Sequence, residues 1–264
     1  MNNALIGYSG FVGSTLLKQA SFASLYRSNN IGDIEMKSFD MVACAGAPAQ
    51  KWIANRDPEA DLKQIEELIA RLETVRCKTF VLISTVDVFK EPVAVNEETP
   101  VDESGLHPYG FHRRLLEKYV ESQFSSHLIV RLPGLVGPGL RKNVIYDLLN
   151  SNNLHLIESR GVFQFYPMVN LWYDIQIALQ AGLKLIHLTA APISVAEASK
   201  QGFGKTFDNQ LPGVPASYDM RTIHAQAFEG DGPYQYSACD TIQAIRSYAQ
   251  SEPLADRAAS GVQS

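Results

Sequence analysis

The chain has 264 residues, enough for one large α/β domain or a dinucleotide-binding core with a small added lobe. It is 45% hydrophobic and 19% charged, with a net charge of −5, an ordinary balance for a globular protein. There is no basic stripe and no apolar run long enough to span a bilayer, which argues against nucleic-acid and membrane partners.

The first element is a short apolar strand, Ala4-Leu5-Ile6. It leads into Gly7-Tyr8-Ser9-Gly10-Phe11-Val12-Gly13 and then a helical pattern from about Phe11 to Ala20. Gly7 permits the tight turn off the strand, Gly10 lets a pyrophosphate approach the backbone, and Gly13 lets helix and sheet pack closely. The N–H groups that open the helix, around Phe11 and Val12, then face the phosphates. The glycines are spaced G-x-x-G-x-x-G. This spacing resembles the extended short-chain dehydrogenase/reductase family, which includes nucleotide-sugar epimerases, dehydratases and reductases. The resemblance implies a Rossmann-like, doubly wound, mostly parallel sheet with a small C-terminal substrate lobe. It also implies NADP or NAD as cofactor.

Leu25-Tyr26-Arg27 is expected as the second strand, ending Arg27-Ser28-Asn29. An acid at this strand end accepts from a free ribose 2′-hydroxyl, whereas Arg pairs with a 2′-phosphate. Arg27 and Ser28 therefore favour NADP over NAD. A plain exposed loop Arg is the alternative, and Asp33 lies close by. The next strand is Phe39 to Gly46, only about thirty residues after Gly13, so a crossover helix is expected to be missing or reduced. In the family this strand end passes under the cofactor. Cys44, Ala45 and Gly46 match that place, or are ordinary tight packing. Asp57-Pro58-Glu59 reads as a helix start, followed by an apolar stripe through Val75. Thr79 to Ser84 reads as a central strand.

That strand ends Ser84-Thr85-Val86-Asp87-Val88-Phe89, resembling the family's S-[ST]-x-x-V-[YF] segment. The resemblance assigns a substrate-binding hydroxyl to Thr85 first and Ser84 second. Family dehydratases carry Thr-Asp-Glu here. Val86 replaces the acid, which argues against dehydration. Asp87 is a candidate substrate contact or simply a loop cap. Residues 90–107 are rich in Pro, Glu and Asp and are expected as a solvated flap on the substrate side.

Pro108 then opens a helix carrying Tyr109 and Arg113, which share a face four residues apart. Pro108-Tyr109-Gly110 resembles the family's Tyr-x-x-x-Lys signature, with Arg113 in place of the lysine. The resemblance makes Tyr109 the acid/base and gives residue 113 the task of lowering its pKa from about 10. Arg keeps the charge but is bulkier and cannot pass on a proton. His112 is expected on the exposed face.

His127 to Arg131 is the next strand, followed by Leu132-Pro133-Gly134-Leu135-Val136-Gly137-Pro138. This resembles the family segment that packs on the nicotinamide, which assigns Pro133, Gly134 and Leu135 to the cofactor. Arg141-Lys142-Asn143 opens a helix at the place of the family's diphosphate contacts; surface charges are the alternative reading. Gln164 falls in a segment that carries substrate contacts in the family, without the family's Arg. A helix through Ala181, a strand at Leu185–Leu188, a short helix from Ser194 and a last helix from Thr241 to Ala249 follow. The domain expectation is a core of residues 1–140, a mixed lobe with returning core elements at 141–250, and a disordered tail at 251–264. Helices 57–75 and 109–124 are where family members pair, so a homodimer is possible. Cys44, Cys77 and Cys239 are widely spaced and odd in number, which fits a reducing, cytoplasmic setting. No metal-ligand spacing is present, so no metal is expected. The functional expectation is an NAD(P)-dependent oxidoreductase or epimerase of a sugar, or nucleotide-sugar, substrate. The alternative is a non-catalytic NAD(P)-binding sensor or partner-binding module.

Overall fold

Along the first strand, Ala4 and Ile6 face one side, Leu5 the other, and all three are buried. A strand buried on both faces belongs inside a parallel sheet with helices on each side. The structure is a computed structural model that describes residues 1–230 and 232–252. Six parallel strands form its central sheet: β1 (Asn3–Ile6), β2 (Ser24–Tyr26), β3 (Ser38–Cys44), β4 (Arg76–Thr85), β5 (His127–Leu132) and β6 (Leu185–His187). Their spatial order is β6-β5-β4-β3-β1-β2. The chain moves from β1 outward to β2 and then returns to the other side of β1. The order therefore reverses between β1 and β3, and such a switch point opens a crevice at the carboxyl ends of the strands.

Between β2 and β3 only a short 3-10 turn, Ile31–Ile34, takes the place of a crossover helix. The reduced crossover expected from the spacing is thus present. The helices of six or more residues are α1 (Phe11–Gln19), α2 (Lys51–Arg56), α3 (Pro58–Leu72), α4 (Pro108–Gln123), α5 (Val144–Asn150), α6 (Leu171–Gln180) and α7 (Ala238–Ser251), and the expected short helix after Ser194 is present at Val195–Glu197. Asp57 caps α3 by accepting from the Ala60 N–H at 3.2 Å, with Pro58 in the first turn. One face of the sheet packs Ile6, Val42, Phe80 and Leu82 against Ile65 and Leu68 of α3 and Leu116 and Val120 of α4. The other packs Leu5, Ala43, Val81 and Val130 against Leu16 of α1 and Ile175 of α6. Each fully buried Leu or Phe contributes roughly 1.5–3 kcal/mol. A third apolar cluster joins α5 and α7 beside the sheet.

Three expectations change. The segment after Phe89 is not wholly a solvated flap. Val93–Val95 pairs in parallel with Asp219–Met220. Glu97 accepts from the His187 N–H at 2.8 Å, the Thr222 hydroxyl at 2.6 Å and the Ile223 N–H at 3.0 Å. Its carboxylate thus ties two distant segments to the sheet. The last helix starts earlier, at Ala238, because Ser237 and Asp240 form a capping box. Of the tail expected from residue 251, Ser251 ends α7, and residues 253–264 lie outside the described residues. Among the described residues no helix is long and apolar enough to cross a membrane.

Asp174 of α6 is 1% exposed and accepts from the Tyr166 hydroxyl at 2.5 Å and the Tyr236 hydroxyl at 2.8 Å. Burial pushes its carboxyl up to about 6 from an ordinary 3.8. A raised acid binds its proton more tightly in the folded chain. Its contribution to stability is therefore full below pH 3.8 and lost as pH rises through 6. Asp174→Asn is expected to remove about 3 kcal/mol of this pH dependence. Urea unfolding of parent and variant at pH 4 and pH 7 measures it; equal slopes with pH contradict it.

Candidate active site

β1 ends at Ile6, β3 at Cys44 and β4 at Thr85, side by side on the carboxyl edge of the sheet. Gly7 has φ +82°, and a Cβ there would lie 2.3 Å from the Ala45 carbonyl oxygen. A Cβ on Gly13 would lie 2.0 Å from the Gly7 oxygen. Both positions therefore require glycine, and together they fold the turn tightly against the start of α1. Gly10 is the N-cap of α1 and brings no capping side chain. The first-turn N–H groups at Phe11, Val12 and Gly13 are thus left for an anion, at the positive end of the helix. These residues fit a dinucleotide pyrophosphate.

Arg27 follows directly on β2, its guanidinium 5.7 Å from the Tyr8 ring centroid of the glycine turn. Its Nε donates to Asn29 at 2.9 Å, and both Arg27 and Ser28 are exposed. Ala45 and Gly46 line the turn beside Gly7, while Cys44 takes the tight-packing alternative, with its side chain in the core. Its thiol is buried among Ile65 and Leu68, and that burial pushes it up to about 11. Gly134 begins a short strand to Val136 that pairs with Phe165–Pro167, and a Cβ on it would lie 2.6 Å from the Gln164 oxygen. Pro133, Gly134 and Leu135 thus form a close-packed segment at the end of β5.

Tyr109 is 8% exposed at the start of α4. The His107 side chain caps that helix, accepting from the Gly110 N–H at 3.0 Å. Gly110 is needed there, since a Cβ would meet the Asp87 oxygen at 2.0 Å. α4 is thereby pressed against the segment following β4. The Thr85 hydroxyl, at the end of β4, accepts from the Asp87 N–H at 3.1 Å and is near enough to the Tyr109 phenol to lower its pKa. Burial raises the Tyr109 phenol and Asp87 adds to that, while Arg113, Thr85 and Lys51 pull the other way. Ser84, in contrast, is turned away. Its hydroxyl is buried and donates to Glu117 at 2.5 Å. The second-choice hydroxyl is therefore structural, because a strand sends successive side chains to opposite faces.

Arg113 stacks on the Tyr109 ring, with 4.0 Å between guanidinium carbon and ring centroid. Its fork is bidentate on Asp61 of α3 and also donates to the Pro48 and Tyr109 carbonyls. All the terminal N–H groups of the fork are thus engaged, and Nε is buried without a partner. Burial opposes the Asp61 charge, but Arg113 and His112 outweigh it and hold its carboxyl below the usual range. His112 is a correction: it is 5% exposed, not surface, and its Nδ1 lies 2.7 Å from Asp61.

Lys51, the first residue of α2, donates to Asp87 Oδ1 at 2.7 Å and to the Tyr218 hydroxyl at 3.3 Å. No feature of the six-residue α2 marks Lys51 in the sequence. Asp61 did leave a mark, as an acid in register with Ile65, Leu68 and Leu72 on the buried face of α3. Lys142 reaches back to the Ala49 carbonyl, and burial, with the Arg113 charge, pulls its ammonium below the usual lysine range. Arg141 is exposed nearby. Gln164 is a second correction. It is 1% exposed and donates to Thr189, Ala190 and Met220, while accepting from the Met220 N–H at 2.7 Å. Its amide is fully engaged as a clamp between segments and has no role toward a substrate.

No protein-family model matches the sequence, and no curated protein matches it either. Solved structures do match. A dTDP-4-dehydrorhamnose reductase from Clostridium acetobutylicum has a TM-score of 0.71 at 17% identity, covering 95% of this chain and 99% of that one. The UDP-glucuronic acid 4-epimerase of Bacillus cereus, in complex with UDP-glucuronic acid and NAD, gives 0.69 at 16%, over 95% and 99%. RMD from Pseudomonas aeruginosa, complexed with NADPH, gives 0.69 at 17%, over 95% and 99%. The chain therefore has the Rossmann-like fold of these structures.

Proposed function

We propose that this protein is an NAD(P)-dependent oxidoreductase or epimerase acting at a C–OH/C=O carbon of a nucleotide-linked sugar. The observation that carries the reading is the placement of Tyr109, its ring stacked by Arg113, against the segment that follows β4, on the same sheet edge as the Gly7–Gly13 turn. The neighbours of similar fold bind NAD, NADPH and nucleotide-sugars, which supports the reading. The backbone of Gly7 to Gly13 holds the pyrophosphate, Arg27 the 2′-phosphate, and Pro133 to Leu135 the nicotinamide side. The bound cofactor supplies or accepts the hydride. Thr85 and the Tyr109 hydroxyl hold the substrate oxygen, and Tyr109 gives or takes the proton there. Arg113 fixes the Tyr109 ring and the loop at Pro48. Arg141 and Lys142 face the substrate nucleotide.

The test is consumption of NADPH by UDP- and dTDP-linked 4-keto-hexoses, with 4-epimerisation of the matching hexoses assayed in parallel. Turnover of neither overturns the reading. Arg27→Asp is expected to shift the preference about tenfold from NADPH towards NADH. Unchanged affinities for the two would remove Arg27 from the ribose site.

The engagement of Arg113 with Asp61 favours one other reading, a chain that binds the dinucleotide without turnover. Arg113→Lys separates the two. A lysine cannot reproduce the bidentate grip on Asp61 or the stack on Tyr109. In an adapted active site the variant loses turnover roughly tenfold or more. A gain in turnover would instead mark Arg113 as the cause of a lost activity.

A further inference from the structure

Among the described residues, the Lys51–Asp87–Tyr218 cluster is a hydrogen-bonded group near Tyr109 that the proposed chemistry leaves without a task. Its three members come from separate parts of the chain: the start of α2, the turn after β4, and the segment before Asp219–Met220. Tyr218 itself stacks on Phe163, with ring centroids 5.5 Å apart, which fixes its hydroxyl end. Lys51 Nζ donates to Asp87 Oδ1 at 2.7 Å and to the Tyr218 oxygen at 3.3 Å. Tyr218 also donates to Asp87 Oδ1 at 3.3 Å. Every one of these bonds on Asp87 falls on Oδ1. An ammonium has three protons, so the set retains one N–H donor and the Oδ2 acceptor for a ligand. Lys51 is 39% exposed at its side chain and Asp87 16%, so both are reachable from solvent.

The charges in the cluster balance. Lys51 carries one positive charge, Asp87 one negative, and Tyr218 none. Burial disfavours the Lys51 ammonium, but Asp87 outweighs it and holds the lysine charged above its usual range. The Arg113 charge is already compensated by Asp61. A neutral pair of one donor and one acceptor suits adjacent sugar hydroxyls. It does not suit a carboxylate, which would meet Asp87 as a like charge.

We propose that Lys51, Asp87 and Tyr218 form a charge-balanced sugar subsite that selects neutral hexoses over uronic acids. The inference rests on the nucleotide-sugar reading above and adds the class of sugar. Asp87 is the selecting residue, because it cancels the lysine that would otherwise attract an acid.

The test is binding, not turnover. The full chain, loaded with NADP or NAD, is titrated calorimetrically with UDP-glucose and UDP-glucuronic acid, and with the dTDP-hexose for the nucleotide. The parent is expected to bind the neutral sugar at least about tenfold more tightly than the acid. Asp87→Asn is expected to reverse the order by leaving Lys51 unpaired. Lys51→Met is expected to weaken the neutral sugar about tenfold. Unchanged dinucleotide binding in each variant reports an intact fold. Equal or tighter binding of the uronate by the parent overturns the proposal, as does an unchanged ratio in Asp87→Asn. If the binding order holds and no sugar turns over, the subsite stands and the oxidoreductase reading falls.

Discussion

Tyr109→Phe is expected to lower sugar turnover by roughly 10²–10⁴-fold, the usual contribution of a positioned acid or base. Dinucleotide affinity is expected to stay within a few-fold. The ring is retained, so the Arg113 stack and the packing of α4 survive, and only the phenol hydroxyl is lost. The phenol is raised by burial, with Arg113, Thr85 and Lys51 acting against that rise. In the reducing direction the residue must hold its proton, and a raised phenol does so across neutral pH. The rate of sugar reduction should therefore be nearly flat from pH 6 to 8 as far as Tyr109 is concerned. Steady-state kinetics of Tyr109→Phe, with kcat and KM separated, measure the effect. Turnover within a few-fold of the parent would remove Tyr109 from the chemistry and leave it a packing residue.

The second large effect is on stability. Glu117 of α4 is fully buried and accepts from Ser84 at 2.5 Å, from Arg131 at 2.9 and 2.7 Å, and from Arg114 at 2.9 Å. It joins the Tyr109 helix to β4 and β5 at once. Arg131 is itself buried, beneath the Phe89 ring at 5.1 Å. Glu117→Gln leaves that guanidinium without its counter-charge, at a cost of about 3–5 kcal/mol. For a chain of this size the loss corresponds to roughly 10 °C in Tm. The pH dependence has a definite sign. Burial disfavours the Glu117 charge, but Arg131, Ser84 and Arg114 outweigh it and hold its carboxyl below the ordinary 4.5. Its stabilisation is present above pH 4.5 and is lost as pH falls below that value. Calorimetric unfolding of the parent and Glu117→Gln at pH 7 and at pH 3 tests this, with a gap at pH 7 that narrows at pH 3. A variant as stable as the parent at both would show the pair to be dispensable.

What the sequence disclosed was local or periodic. Gly7, Gly10 and Gly13 lie within one turn, and the Asp57-Pro58 helix start and the Ser84–Phe89 strand end are equally short-range. The doubly buried strands β1 and β4 show as continuous apolar runs, and the short gap before β3 correctly implied a reduced crossover. The Rossmann-like fold was legible from these signals together. The side-chain partners were not, because they are set by contacts between residues far apart in the chain. Arg113 could be seen as a replacement, but its pairing with Asp61 arises only when α3 and α4 lie side by side. Lys51 and Tyr218 meet Asp87 from opposite ends of the sequence. Gln164 sat at a plausible substrate position, and only the convergence of Thr189, Ala190 and Met220 shows its amide to be a clamp. His112 looked exposed because its helix neighbours are charged, yet Asp61 draws it inward. Loop 90–107 looked solvated by composition, although Glu97 serves as an internal anchor.

The claim on which the rest depends is that the Gly7–Gly13 turn binds a nicotinamide dinucleotide. The most direct measurement is a titration of the full chain with NADPH and with NADH, following nicotinamide fluorescence. Saturable binding of both is expected, tighter for NADPH because of Arg27, with loss of both in Gly13→Val, whose side chain would drive into the Gly7 carbonyl. No binding of either cofactor, or equal binding by Gly13→Val, would contradict it.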